Sequence, residues 1–466
     1  MSRVIREAAP RFEAEVPLAV IGAGAAGLTA ALAAAEQGVE ALVLERDALP
    51  RGSTALSAGL IPAAGTRWQA ARGIEDEAAL FEADIQAKTG GRALPHLAAL
   101  LAREAAPALE WLARAHGLPF SLVDDFDYPG HSRRRMHGLP SRSGAELLDR
   151  LRAAAEGAGV TLLTGARVAA LIADAAGRPR GVEIARPDGA RERIGARALL
   201  LACSGYGGDP ALLRAHIPRL AGAPYFGHPG NTGDAVKWGA ALGARLVQMG
   251  AHQGHGNVAH PAGILVTWAV ITEGGFQVNA AGRRFWNEAQ GYSEAAEAVL
   301  AQPEGIAFSV FDARIAAIAR QFADFRAAEA HGAVLSAPGV AELAARAKLP
   351  AESLAASLAE VEAMKRARAT DAFGRDWSRS APLAPPFHAV RVTGALFHTQ
   401  GGLLVDEAGR VLSEAGAAIP GLYAAGGAAC GVSGPEASGY LSGNGLLSAV
   451  VLGRIAGREA ARFTRG

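Results

Sequence analysis

The sequence predicts an α/β protein whose nucleotide-binding fold is split into two stretches of chain, with an α+β segment inserted between them. Three observations carry this prediction. A glycine-rich segment, Val20-Ile21-Gly22-Ala23-Gly24-Ala25-Ala26-Gly27, follows the leader Met1–Val16. A second glycine-rich set, Gly421–Gly427 and Gly443-Asn444-Gly445, stands at the opposite end of the chain. Between about Arg245 and Val390 the strand–helix alternation gives way to mixed segments. A length of 466 residues is enough for two or three domains. The expected boundaries are residues 1–244 for the first part of the nucleotide domain, 245–390 for the insert and 391–466 for the second part.

The elements follow in order. Leu18–Ile21 is a short apolar run with β-branched residues, so it reads as a buried strand, and the Ala/Leu-rich Leu28–Gln37 reads as a helix. Between them Gly22 permits the tight turn, Gly24 lets a pyrophosphate approach the backbone, and Gly27 lets helix and strand pack closely, with Ala26 in the same turn. The pyrophosphate then meets the free N–H groups and dipole of the helix N-terminus. A second strand, Glu40–Leu44, ends in Glu45 and Arg46, about 20 residues beyond the glycines. The Glu45 carboxylate suits ribose hydroxyls and repels a 2′-phosphate, which disfavours NADP.

The loop Arg51–Gly59 is built of small residues suited to lying along a cofactor; Ser53, Thr54, Ser57, Ala58 and Gly59 are its contact candidates. Helical patterns cover Glu75–Thr89 and Pro95–His116. His131-Ser132-Arg133-Arg134-Arg135 reads as a solvated basic loop in preference to an anchor for a substrate carboxylate or FAD phosphate. Val160–Leu163, Ala166–Ile172 (with Val168) and Gly181–Ala185 look like strands, with Pro187-Asp188-Gly189 as a hairpin turn. Ala198–Cys203 is another buried strand, leading through Ala202 into Ser204-Gly205. Asn231-Thr232-Gly233-Asp234 opens a helix through Gly243, with Asn231 or Thr232 as its cap. In the insert, Pro338–Arg368 is one helical stretch and Asp371–Pro386 is turn-rich. The nucleotide fold resumes at Val392 and ends on the helix Leu446–Phe463.

Composition excludes several classes. Half the residues are hydrophobic and the net charge is only +1, so nothing marks a nucleic-acid partner. Two cysteines, Cys203 and Cys430, form neither a disulfide framework nor a metal-ligand pattern, and read as buried inert thiols. Met1–Val16 mixes arginine and glutamate with no apolar stretch, so it is not read as a signal peptide. No run of some twenty apolar residues suggests a membrane span. The expected location is the cytoplasm. His252, His255 and His260 lie in a His/Gly-rich stretch without acidic or Cys partners at ligand spacing, so no metal is expected.

Six motifs in order give a resemblance that covers nearly the whole chain. They are Gly22–Gly27 with Glu45, Leu200–Gly205, Asn231–Asp234, Gly282-Arg283-Arg284-Phe285-Trp286-Asn287-Glu288, His398-Thr399-Gln400-Gly401-Gly402, and Gly421–Gly427 with Ser442–Gly445. The sequence resembles the fumarate reductase/succinate dehydrogenase flavoprotein superfamily, whose soluble members include 3-ketosteroid dehydrogenases. The resemblance implies FAD in a split Rossmann-like domain and an inserted α+β capping domain over the flavin ring. It adds Gly402, Gly426, Gly427, Gly443, Asn444, Gly445 and Leu446 to the cofactor contacts. Gly427 stands where many members carry a flavin-contacting Glu. Family members that bind FAD covalently use a histidine in the loop matching Arg51–Gly59, where this chain has none; the flavin is expected to be noncovalent.

The departures bear on the substrate. Fumarate reductases carry an arginine proton donor four residues after the Asn-Glu pair, and Tyr292 stands there. A second arginine that clamps a substrate carboxylate is replaced by Tyr440. A phenol offers no bidentate charge pair, so fumarate and succinate are poor substrates. The pattern is similar to ketosteroid dehydrogenases, which use one tyrosine as proton acceptor and another to hold a ketone oxygen. His398 matches the family's substrate-carboxylate histidine and hints at a compact or acidic substrate.

The implied chemistry is α,β-desaturation of a cyclic ketone or keto acid of the 4-oxocyclohexanecarboxylate kind, or the reverse. Tyr292 takes the α-proton, while Tyr440 and a backbone N–H near Gly443–Asn444 hold the oxygen. A free phenol titrates near 10, so a tyrosinate at pH 7 costs about 4 kcal/mol. A nearby cation, or a relay through His252 or His255, would offset part of that. With no Cys-x-x-Cys-His and no cysteine cluster, electrons must pass to oxygen or a separate carrier. Two other readings stay open: an enoate reductase of the fumarate or urocanate type, and a flavin-binding or electron-transfer subunit without turnover.

Overall fold

A computed structural model describes residues 3–124 and 128–466; the first two residues of the leader lie outside the described set. In chain order the strands that matter here are β1 (Arg3–Arg6), β2 (Ala14–Ile21), β3 (Ala41–Leu44), β4 (Thr161–Leu163), β5 (Arg167–Ala173), β6 (Pro179–Ala185) and β7 (Arg191–Leu201). They continue with β8 (His252–Ala259), β9 (Ile264–Leu265), β10 (Phe276–Val278), β11 (Ile306–Asp312), β12 (Val334–Ala337), β13 (Phe387–Thr399), β14 (Arg410–Leu412) and β15 (Ala418–Ala424). The helices used below are α1 (Ala25–Ala35), α2 (Asp234–Ala241), α3 (Tyr292–Leu300), α4 (Val340–Ala347), α5 (Ala351–Ala367) and α6 (Asn444–Arg465).

The chain forms two compact units. The first comprises Met1–Ile217, Gly227–His252 and His398–Gly466; the second comprises Pro218–Phe226 and Gln253–Phe397. The first unit is thus assembled from both ends of the chain around an insertion.

In the first unit a nine-stranded sheet runs in the order β1-β5-β6-β7-β2-β3-β4, with β15 also pairing β7 and β14 pairing β15. The strands β7, β2, β3 and β4 are parallel neighbours, and β15 is parallel to β7. Leu18–Ile21 and Ala41–Leu44 are buried throughout, as parallel strands covered on both faces require. The two ends of the chain are locked together where α6 crosses α1. A Cβ on Gly453 would stand 2.6 Å from the Ala26 carbonyl oxygen, and one on Gly457 would stand 2.2 Å from that of Ala30. Only glycine permits that approach, which explains the small-residue character of both helices.

The leader carries a strand not among those expected from the sequence: β1 pairs in parallel with β5, Arg3 opposite Ala170. One expectation about this unit is corrected. The helix α2 is capped by neither Asn231 nor Thr232. Its N-cap is Gly233, at φ +73°, while the Asn231 amide donates to Ser53 Oγ at 2.8 Å and Thr232 Oγ1 donates to Asp234.

The second unit is α+β. Its six-stranded sheet runs β9-β8-β13-β11-β10, with β12 also pairing β13, and its core includes Trp268, Phe276, Phe311, Phe325 and Trp377. The single helical stretch expected at Pro338–Arg368 is two helices. Lys348 adopts a left-handed conformation at φ +56° and ends α4; Pro350 then precedes α5.

Candidate active site

The glycine turn performs what its spacing predicts. Gly22 sits at φ +106°, and a Cβ there would come 2.6 Å from the Ala202 carbonyl oxygen. A Cβ on Gly27 would strike the Gly22 carbonyl oxygen at 1.9 Å, so that glycine is what brings α1 onto the strand. Glu45 closes the turn: one carboxylate oxygen accepts from the Ala23 N–H at 2.9 Å and the other from the Asp47 N–H at 3.0 Å. Four lone-pair sites on a carboxylate leave acceptor capacity for ribose hydroxyls.

The remaining cofactor candidates collect around this turn. Thr54 Oγ1 accepts from the Ala25 N–H at 3.0 Å and thereby ties the Arg51–Gly59 loop to the start of α1. Ser57 Oγ is engaged within its own loop, donating to the Thr54 carbonyl and accepting from the Gly59 N–H. Ala58 is exposed, and Val168 is buried in β5. Arg46 is exposed and donates to the Gly230 carbonyl at 2.5 Å. Ser204 adopts φ +66°, uncommon for a residue with a side chain, and its neighbour Gly205 accepts from the Gly233 N–H. Gly402 and Gly427 have a packing reason to be glycine. A Cβ on Gly402 would meet the Ala428 carbonyl oxygen at 2.7 Å, and one on Gly427 would meet the Gly205 nitrogen at 3.0 Å.

These residues fit FAD. No side chain of its N-cap residue, Gly24, caps α1, and a Cβ on Gly24 would meet only Thr54 Oγ1, at 3.3 Å. At the second helix start Gly443, at φ +87°, precedes α6 with no side-chain cap. There Asn444 Oδ1 is buried with no hydrogen-bond partner among the described residues. A glycine-led start of α1, an uncapped start of α6 and a buried acceptor match a group that carries phosphates and ring N–H.

His398 and Tyr440 stand beside the second helix start. Their rings meet edge to face, centroids 5.5 Å apart. A Cβ on Gly445 would lie 3.1 Å from His398 Nε2, which sets the imidazole against the first turn of α6. Burial pushes the His398 pKa down to about 4, with the Thr399 carbonyl opposing and the neighbouring His252 adding to the fall. His252 is itself buried, its Nδ1 2.8 Å from the Gly250 carbonyl oxygen. His398 is therefore neutral at pH 7. Gln400, which the sequence reading passed over, places its Nε2 3.1 Å from His398 Nδ1. Its one signal was its place two residues after that histidine. The Asn444 N–H donates to the Leu441 carbonyl at 3.1 Å, so of the two backbone amides expected to serve an oxyanion, this one is already engaged.

Tyr292 belongs to the second unit, as the first residue of α3, and Gly291 before it takes φ +134°. It lies in an aromatic cluster. His255 stacks on it at 5.0 Å and 19°, and Trp268 meets Tyr292 at 6.5 Å and His255 at 5.8 Å, both edge-on. Trp286 and Phe397 extend the cluster. Burial pushes the His255 pKa down to about 3, so His255 supplies no cation to a tyrosinate. Desolvation defeats the imidazolium there. His260 is exposed at the end of β8. Trp268 Nε1 is buried without a partner among the described residues.

Behind Tyr292 lies a buried charge network. Glu288 accepts from Arg284 (Nη2 at 2.6 Å) and lies 3.2 Å from Arg375 Nη1, and Arg284 also reaches Asp371 at 2.6 Å. Trp377 donates to Asp371 and carries the Arg375 guanidinium 3.7 Å from its ring centroid. In the first unit the basic run at residues 131–135 is also not a solvated loop throughout. Arg135 is fully buried, paired with Asp76 and Asp84, and His131 bonds the Ser442 carbonyl at 3.0 Å.

The family described as FAD binding domain matches residues 18–446. The chain belongs to that family. A probable fumarate reductase, Ifc3, of Shewanella frigidimarina is 30% identical over 449 residues, spanning 95% of this chain and 74% of the relative. The 4-oxocyclohexanecarboxylate 2-dehydrogenase of Sinomonas cyclohexanicum is 26% identical, spanning 96% of this chain and 93% of the relative. The structure of 3-ketosteroid-Δ4-(5α)-dehydrogenase from Rhodococcus jostii superposes with a TM-score of 0.79 at 26% identity, over 97% of this chain and 98% of that one. This FAD binding domain protein is an FAD-dependent oxidoreductase of the fumarate reductase family. No helix among its described residues is long and apolar enough to cross a membrane.

Proposed function

We propose that this chain desaturates a cyclic ketone or keto acid beside its carbonyl, with FAD held noncovalently and residues 245–390 serving as the substrate cap. The observation that carries the reading is charge neutrality at both positions where fumarate reductases place arginines. Tyr292 is packed by aromatic rings and a neutral His255, and Tyr440 by a neutral His398. Neutral hydrogen-bonding groups suit a ketone oxygen, whereas two carboxylates would be desolvated without a cation to pair them.

Tyr292 takes the α-proton. Tyr440 O–H, with the Gly443 N–H, holds the carbonyl oxygen as negative charge arrives on it; one such donor is worth roughly 3–4 kcal/mol. FAD, when bound, would supply the acceptor for the β-hydride and its electron pair, with oxygen or a separate carrier as the final oxidant. The proton and the hydride together account for the two hydrogens lost as the C–C bond becomes double.

The test is anaerobic bleaching of the bound flavin by a panel of cyclic ketones, keto acids and dicarboxylates. Bleaching by a ketone, lost in Tyr292→Phe, supports the desaturase. The likeness to a probable fumarate reductase favours a second reading, an enoate reductase. That reading prevails if ketones are silent and an unsaturated acid reoxidises the dithionite-reduced flavin. Silence in both directions, with flavin retained, would mark a subunit without turnover.

A further inference from the structure

We infer that Gln400 and Ser433 are positioning residues that fix His398 as a neutral Nε2–H donor, through a hydrogen-bond chain polarised from Asn444 to His398. The inference rests on the proposal that His398 faces substrate; the chain itself lies wholly within the first unit.

The geometry assigns a direction to each link. Asn444 Nδ2 donates to Ser433 Oγ at 3.4 Å, the longest link. The Ser433 hydroxyl donates its one hydrogen to Gln400 Oε1 at 3.1 Å. With Oε1 taking that hydrogen, Gln400 Nε2–H points to His398 Nδ1 at 3.1 Å. An amide nitrogen has only donors to offer, so Nδ1 must be the acceptor and the ring proton sits on Nε2. Gln400 and Ser433 are buried, and the chain packs closely at Oε1: a Cβ on Gly431 would lie 2.4 Å from it.

The two ends of the chain are chemically opposite. At one end Asn444 Oδ1 is a buried acceptor without a partner among the described residues, suited to a ring N–H of the flavin. At the other, His398 presents a donor at the first turn of α6. An Nε2–H donor selects a substrate atom with a lone pair, a carbonyl or carboxylate oxygen, and rejects a hydroxyl acting as donor. Burial, which holds the imidazole neutral, makes the tautomer the property that matters, because the neutral ring has one donor and one acceptor and Gln400 decides which is which.

The experiment is nitrogen NMR of the histidine-labelled holoprotein, with Gln400→Leu and Ser433→Ala as variants. The expected result is a neutral His398 with the proton on Nε2, held from pH 8 to pH 6. Gln400→Leu should release it to a mixture of tautomers and Ser433→Ala should do so in part. Both variants should keep the flavin's visible spectrum. Loss of one buried hydrogen bond should weaken binding of a ketone or carboxylate ligand about tenfold, equivalent to about 1.4 kcal/mol. A wild-type proton on Nδ1, or a tautomer unmoved in Gln400→Leu, would overturn the inference. If Gln400→Leu does not fold, Ser433→Ala decides by the same signal. An Nε2 proton in a protein that turns over no ketone would sustain the hydrogen-bond chain and remove the desaturase reading instead.

Discussion

Replacing Glu288 by Gln should unbalance the buried network behind Tyr292. Arg284, Arg375, Glu288 and Asp371 carry two positive and two negative charges, and each of the four is at most 8% exposed. Glu288 accepts from the Gln277 N–H at 3.0 Å and from Arg284 Nε at 3.1 Å on one oxygen, and from Arg284 Nη2 at 2.6 Å on the other, with Arg375 Nη1 at 3.2 Å from that second oxygen. Glutamine keeps the shape but removes the charge, and its NH2 is turned toward guanidinium donors, so a net positive charge is left buried. Breaking such a pair costs about 3–5 kcal/mol. For a cooperative unit the size of the second one, that lowers the thermal midpoint by about 6–20 °C. The assay is calorimetry on the holoprotein, with a Glu288→Asp control that keeps the charge. Flavin bleaching should fall alongside, since Tyr292 opens α3 four residues after Glu288, across Gly291. A Glu288→Gln midpoint within 2 °C of wild type would refute the reasoning, because it would mean that the two arginines do not need this carboxylate.

Tyr292→Phe should cut ketone-driven flavin reduction by roughly 10²–10⁴-fold, the range for loss of a general base, with FAD content unchanged by absorbance. Gly457→Val should destabilise the first unit by about 1–3 kcal/mol or more, since its Cβ would stand 2.2 Å from the Ala30 oxygen; a variant that melts with wild type would deny that α1 and α6 need this contact. The folded pKa values of His137, His131 and His255 are lowered by burial to about 4, 4 and 3. The unfolded chain therefore binds more protons than the folded one below about pH 6.5. Their contribution is complete above that pH and is lost as pH falls toward 4, by about 1.4 kcal/mol per unit for each; denaturant midpoints should fall across that window, and a flat profile would contradict it. Burial also pushes the Cys203 and Cys430 thiols up to about 12, so a thiol reagent should label neither until the protein is unfolded, as mass spectrometry would report.

Much of the flavin half was legible in the chain. Gly22, Gly27 and Glu45 act within a single strand–turn–helix–strand unit, where spacing in sequence fixes spacing in space. The strand β1 was missed because Arg3–Arg6 has no buried face to give it a period; only its pairing with β5 makes it a strand. The cap at Asn231 failed for a related reason. An asparagine before a helix can cap it, but the chain turns through Gly233 at φ +73°, so the helix N-cap falls two residues beyond Asn231, whose amide nitrogen instead donates to Ser53, 178 residues away in sequence.

By itself the sequence determined the α/β class, the split fold, the flavin family and the two tyrosines that replace arginines, because each is written in local residue type and order. Only the tertiary structure decided the charge states that make those tyrosines meaningful. That His255 and His398 are neutral, that Arg135 is buried and paired rather than solvated, and that Gln400 grips an imidazole all depend on which distant groups exclude water from one another. Desolvation and pairing energies arise from three-dimensional neighbours, and no spacing along the chain encodes them.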